Sequence, residues 1–141
     1  MSYYNSSIPD DQSFIEFASS SDNGNSWYQN DLPHNAGYNY ADPSIAFTPD
    51  GKTHINYLSN NISINSSNNI FSDNPVWNGP FEVNNRGDKP WLNSDMTAGS
   101  CSGVLYSTYS DSSIKNKMSS DIGLTWSSIG NFNNNENDYV Y

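Results

Sequence analysis

Ser20-Ser21-Asp22-Asn23-Gly24-Asn25-Ser26-Trp27 and Ser119-Ser120-Asp121-Ile122-Gly123-Leu124-Thr125-Trp126 are two copies of one pattern, Ser-x-Asp-x-Gly-x-(Ser/Thr)-Trp, spaced 99 residues apart. Each residue type shared by the two copies has a task in a tight turn. The Asp carboxylate can accept backbone N–H groups across the turn. Gly takes a backbone conformation that other residues avoid. The Trp opens the following strand, and its ring is expected to be buried against a neighbouring layer.

Each copy follows a strand-like run that ends in a Ser-Ser pair: Phe14-Ile15-Glu16-Phe17-Ala18-Ser19-Ser20 and Ile114-Lys115-Asn116-Lys117-Met118-Ser119-Ser120. A third such run, Ile62-Ser63-Ile64-Asn65-Ser66-Ser67, lies between them. Two other segments recur on the same schedule. An Asp followed by a short apolar run appears at Asp42-Pro43-Ser44-Ile45-Ala46-Phe47, at Asp88-Lys89-Pro90-Trp91-Leu92 and at Asp138-Tyr139-Val140-Tyr141, with steps of 46 and 50 residues. Tyr-bearing strands recur around Tyr4, Tyr57 and Tyr109, with steps of 53 and 52. Apolar and polar residues alternate within several runs, the period of a half-buried strand. Thr48-Pro49-Asp50-Gly51-Lys52 reads as a tight turn between two of them, since Pro presets φ and Gly supplies a positive φ. Four short strands per unit of about fifty residues predict the blade of a β-propeller.

The middle unit should carry a turn of the same kind. Ser72-Asp73-Asn74-Pro75-Val76-Trp77 is shorter by one residue and lacks the Gly. It reads as a degenerate copy that keeps Asp73 and Trp77.

The two full motifs, with the strands before them and segments such as Gly87-Asp88-Lys89-Pro90-Trp91-Leu92, resemble the Asp-box (BNR) repeats of the sialidase-like superfamily. The resemblance runs from Tyr3 to Tyr141. It implies an all-β chain of about three four-stranded antiparallel blades, with residues 1–33 supplying strands two to four of the first. Residues 34–82 would form the second blade and 83–130 the third, with 131–141 a strand one for a following or partner blade. In this family the boxes sit on the rim away from the active site, so Ser20, Asp22, Gly24, Ser26 and Trp27, and likewise Ser119, Asp121, Gly123, Thr125 and Trp126, are structural. Fold of this kind does not fix function.

Composition bounds the chemistry. The net charge is −10, with five basic residues against fifteen acidic ones. That excludes the basic footprint a nucleic-acid binder needs and disfavours an anionic membrane surface. Cys101 stands alone, and with only His34 and His54 beside it the chain lacks the ligand spacing of a zinc site. Neither a metal nor another cofactor is expected. No stretch approaches the length of a membrane-spanning helix, and the first residues do not read as a signal peptide. Localisation is left open.

Sialidases of this family hold the substrate carboxylate with three arginines and use a Tyr nucleophile with a Glu, plus an Asp acid/base. This chain has one arginine, Arg86, and its Glu residues (Glu16, Glu82, Glu136) do not stand beside a suitable Tyr. No catalytic residue is therefore assigned. The resemblance implies a non-catalytic scaffold or a carbohydrate-binding surface. Its rival is a fragment of an exo-acting glycoside hydrolase whose arginines lie elsewhere. Asp42, Asp88 and Asp138 are placed where strand one enters the funnel, where carboxylates could serve hydrolysis or hold a cation; turn capping is the plainer role. Tyr40, Arg86 and Trp91 join them as a candidate ligand face for glycans. Arg86-Gly87-Asp88 spells an adhesion tripeptide, and Asn5, Asn61 and Asn65 begin glycosylation sequons, matches that an Asn/Ser-rich chain produces by chance. Counting strands predicts a break displaced by one, and hence a head-to-tail homodimer closing one six-bladed ring, unless the rest of a longer propeller completes it.

Overall fold

Runs of alternating or β-branched residues, cut by Gly, Pro, Asn and Ser, form strands throughout the computed structural model, which describes residues 2–3 and 13–131. Those residues contain strands and turns and no helix. The strands are β1 (Ser2–Tyr3), β2 (Phe14–Ser19), β3 (Tyr28–Asp31), β4 (Ala41–Phe47), β5 (Thr53–Leu58), β6 (Ile62–Ser67), β7 (Asn78–Asn84), β8 (Asp88–Ser94), β9 (Leu105–Ser110), β10 (Ile114–Ser119) and β11 (Ser127–Asn131). They form three antiparallel sheets in which chain neighbours are sheet neighbours: β1-β2-β3, β4-β5-β6-β7 and β8-β9-β10-β11. The expected all-β class is thus observed. Asp138 and the other residues of 132–141 lie outside the described residues.

The β4–β5 hairpin closes at Thr48–Lys52, where Thr48 N donates to Lys52 O (3.0 Å) and Gly51 N to Thr48 O (2.9 Å). Gly51 holds φ 82° there, a conformation Gly adopts at no steric cost.

The second sheet is a filling between the other two. One of its faces carries Ile55 and Tyr57, which pack with Ile15 and Leu32 of the first unit and with Tyr40. The opposite face carries Ile62, Ile64 and Ala46, which pack with Leu92, Leu105 and Tyr109 of the third sheet. Strand alternation alone assigns the faces. This explains why β6 is buried along its whole length while β2 and β10 are not.

Matching the strand registers aligns the second and third sheets residue by residue. Ser44 pairs with Asn56 as Trp91 pairs with Thr108. Ile64 pairs with Asn56 as Asn116 pairs with Thr108. Both first strands bulge at the same place, after Ala41 and after Asp88. The positive-φ residue in each bulge is Asp42 (50°) or Lys89 (49°), and Pro follows in both. The expected equivalence of Asp42 with Asp88 is therefore corrected by one residue: the counterpart of Asp42 is Lys89.

Candidate functional site

The β2–β3 and β10–β11 turns share one hydrogen-bond scheme in full, and the β6–β7 turn makes part of it. In the third unit Ser119 Oγ donates to Asp121 Oδ1 (2.7 Å) and accepts from Gly123 N (2.9 Å). Asp121 Oδ1 also accepts from Thr125 N (2.9 Å), and Oδ2 accepts from Thr125 Oγ1 (2.6 Å). Trp126 Nε1 closes the turn on Gly123 O at 3.0 Å. The first unit repeats every bond: Ser20 Oγ to Asp22 Oδ1 (2.8 Å), Gly24 N to Ser20 Oγ (2.8 Å), Ser26 N and Oγ to Asp22 (2.9 and 2.7 Å), and Trp27 Nε1 to Gly24 O (3.1 Å). These donors hold the Asp22 carboxyl down at about 2, with the Ser26 hydroxyl the largest cause. The Thr125 hydroxyl first, then its amide, lowers Asp121 in the same sense.

The second unit departs from expectation. Ser67 Oγ donates to Asn69 Oδ1 (3.0 Å), and the same oxygen accepts from Val76 N (2.8 Å). Asn69 thus occupies the Asp place, and Asp73, expected there, stands on an exposed part of the turn. The cause is length. Asn69 precedes Trp77 by eight residues, where Asp22 and Asp121 precede their Trp by five. The shared Ser-x-(Asp/Asn) start was the signal that could have found it. Trp77 keeps its role in packing, with its ring edge-on to Phe17 at 5.2 Å and 82°. Its indole nitrogen is buried without a partner among the described residues, since no Gly carbonyl of its own turn stands where the other two turns provide one.

At the opposite end of the sheets lies the rim where the candidate ligand face was expected. Asp42 and Asp88 are exposed there, but a cation stands with them: Lys89 Nζ lies 3.0 Å from Asp88 Oδ2. Asp88, then more weakly Asp42, raises the Lys89 ammonium above its ordinary range. Arg86 Nε donates to Asp111 Oδ2 at 2.9 Å. Gly87 between them is fixed by packing, because an added Cβ would stand 2.8 Å from Ile62 Cδ1 and 2.9 Å from Tyr109 Cδ2.

Two residues expected on that rim are elsewhere. Tyr40 is a core residue, tilted against Tyr57 at 5.5 Å, with its hydroxyl accepting from Asn35 N at 2.9 Å. Its ring is covered by the first and second units and offers no stacking surface. Trp91 is 69% exposed but belongs to the outer face of the third sheet. There it lines a groove of about 430 Å³ with Tyr106, Thr108, Asn116 and Ile129. The bulge at Lys89-Pro90 sets the alternation that turns it away from the rim. Trp27, expected to be buried between layers, is 59% exposed and lines a groove with Phe17 of the first sheet and Ile45, Phe47 and Ile70 of the second unit. Of the sequons, Asn65 is fully buried and Asn61 Nδ2 donates to Glu82 at 2.7 Å; Asn5 lies outside the described residues.

One buried polar chain escaped the sequence reading. Ser66 Oγ meets His54 Nδ1 at 2.7 Å, His54 Nε2 meets Thr48 Oγ1 at 3.2 Å, and Thr48 Oγ1 donates to Asp50 Oδ1 at 2.6 Å. Burial holds the imidazole neutral, with its pKa pushed down to about 4. Ser66 and His54 are both closed off from solvent, so the chain braces the sheet and presents no nucleophile. Lys117 does similar work between sheets, its ammonium donating to Val83 O (2.7 Å) and Asn84 Oδ1 (2.9 Å). Among the described residues no group of three or more His, Cys, Asp or Glu is placed to hold a metal ion.

No family model, no curated protein and no solved structure matches this chain.

Proposed function

We propose that this chain is a non-catalytic scaffold built of sialidase-like β-propeller blades. The observation that carries the reading is the turn scheme made in full by Asp22 and Asp121 and in part by Asn69. Each turn introduces the fourth strand of its unit and brings a Trp to that unit's side. Successive antiparallel sheets stack face to face at these turns, as blades do. The charges support a structural role for the rim. Arg86, the one arginine of the chain, is engaged by Asp111, and Lys89 stands among the acids that hydrolysis would need. Closing such an array into a ring takes more blades, from a second copy or from the rest of a longer chain.

A glycan array probed with the purified chain and with Trp91→Ala tests the scaffold reading against a carbohydrate-binding one. The expected result is no retention by either protein. A glycan held by the parent and released by Trp91→Ala would overturn it.

A further inference from the structure

We infer that the two outer faces of the sheet stack fit one another, and that a second copy of this chain docks head to tail, its first sheet on the far face of the third. The inference rests on the stacking of the sheets and is independent of whether the rim binds a glycan.

Both internal sheet contacts use the same places. Ser19 of the first sheet donates to Ile70 O in the turn of the second (2.6 Å), and Ser66 Oγ of the second lies 3.5 Å from Ile122 O in the turn of the third. Two residues before each Ser, the receiving side chain lies under the incoming turn. Phe17 meets Trp77, and Ile64 lies 3.1 Å from the point where a Cβ on Gly123 would stand. Every contact therefore has a receiving face and an offering turn.

Among the described residues one of each is left over. On the third sheet the receiving positions are Asn116 and Met118, beside the groove that Trp91, Tyr106 and Ile129 line. On the first sheet the offering turn is Ser20–Trp27, where a Cβ on Gly24 would meet only the chain's own Trp27, at 3.6 Å. Trp27 is exposed, whereas Trp77 and Trp126 pack against the cores between sheets.

The polarity of the two leftovers matches. Apolar Ile64 receives a turn carrying Ile122 and Leu124. Asn116, its counterpart, would receive a turn carrying Asn23 and Asn25 in those places. Asn23 and Ile122 hold the same backbone conformation, φ 59° and 57°. Asn116 Oδ1 accepts from Thr108 Oγ1 at 2.7 Å, but its Nδ2 is buried with no partner among the described residues. A buried donor without an acceptor is costly. A contact between two different faces is heterologous, so it closes into a ring or propagates.

Sedimentation equilibrium on the parent, Trp27→Glu and Trp91→Glu, alone and mixed, tests this. Each substitution blocks one face only, and circular dichroism confirms that each variant is folded. The parent should show a mass rising above the 15.7 kDa of one chain with concentration. Each variant alone should stay at the single-chain mass. The equimolar mixture should associate, because one good face of each kind remains. A parent that stays monomeric, a single variant that associates like the parent, or a mixture that fails to associate would each overturn the inference.

Discussion

The side-chain oxygen of Asn69 accepts the amide N–H of Val76 at 2.8 Å, the bond that Asp121 accepts from Thr125 at 2.9 Å in the next unit. Asn69→Ala should therefore destabilise the chain by about 0.5–1.5 kcal/mol, the net scale of a hydrogen bond whose donor water can reach. Asp73→Ala should change stability by less than about 0.5 kcal/mol, as exposed substitutions do. Denaturant unfolding of the two variants compares them directly. An Asp73→Ala loss as large as that of Asn69→Ala would contradict the assignment.

Gly123 and Gly24 hold nearly the same φ, 90° and 86°, yet only Gly123 is pressed against a neighbouring sheet, at Ile64. Both Gly→Ala variants should lose about 1 kcal/mol from the left-handed conformation. Gly123→Ala should lose more, because Ile64 must give way. Equal shifts in the unfolding midpoint would show that the third turn does not pack on the second sheet.

Ile45 and Leu92 occupy matching positions of β4 and β8, but Leu92 is 7% exposed and Ile45 is 50% exposed. Strand β4 covers Leu92, with Ser44 Oγ accepting from Leu92 N at 2.8 Å. Truncating Leu92 to Ala should cost about 2–4 kcal/mol. Truncating Ile45 should cost less than about 1 kcal/mol in the monomer, since little area returns to water. Equal costs would mean that Ile45 is covered in solution.

His54 is held neutral in the folded chain, with its pKa lowered to about 4 from 6.5 by burial. Its contribution is fully present above pH 6.5 and is lost as pH falls toward 4, because the unfolded chain takes up the proton first. That loss amounts to about 3 kcal/mol. Below it a second loss begins, as Asp22 and Asp50, both lowered from 3.8 to about 2, are protonated between those values. Unfolding free energy measured from pH 7 to 4 should fall through the first window and flatten when His54 is replaced by Gln. A signal assigned to the His54 imidazole that titrates near pH 6.5 in the folded protein would contradict the buried, neutral assignment.

The strands and the two full turns were legible because their signals are local. Alternation fixes which side of a strand is apolar, and Ser20–Trp27 and Ser119–Trp126 carry their hydrogen-bond partners within eight residues. What stayed hidden depends on distant contacts or on single-residue insertions. The bulges before Ser44 and Trp91 shift the alternation, so Trp91 turns to the sheet face and Asp42 aligns with Lys89. The longer turn after Ser67 moves Trp77 away from Asn69, so the nearer Asp73 attracts the assignment. Tyr40 looks like any rim tyrosine until Tyr57 of another strand is packed against it. His54 gave no local sign that Thr48 and Ser66 would enclose its ring.

In this fold the turn of one unit packs on the sheet of the unit before it. Nuclear Overhauser spectroscopy reads that contact at Gly123, whose α-protons should give strong cross-peaks to the methyl groups of Ile64, the nearest side chain to it. Cross-peaks from Gly123 that reach only residues of its own turn and sheet, with none to Ile64, would contradict the stacking and everything built on it.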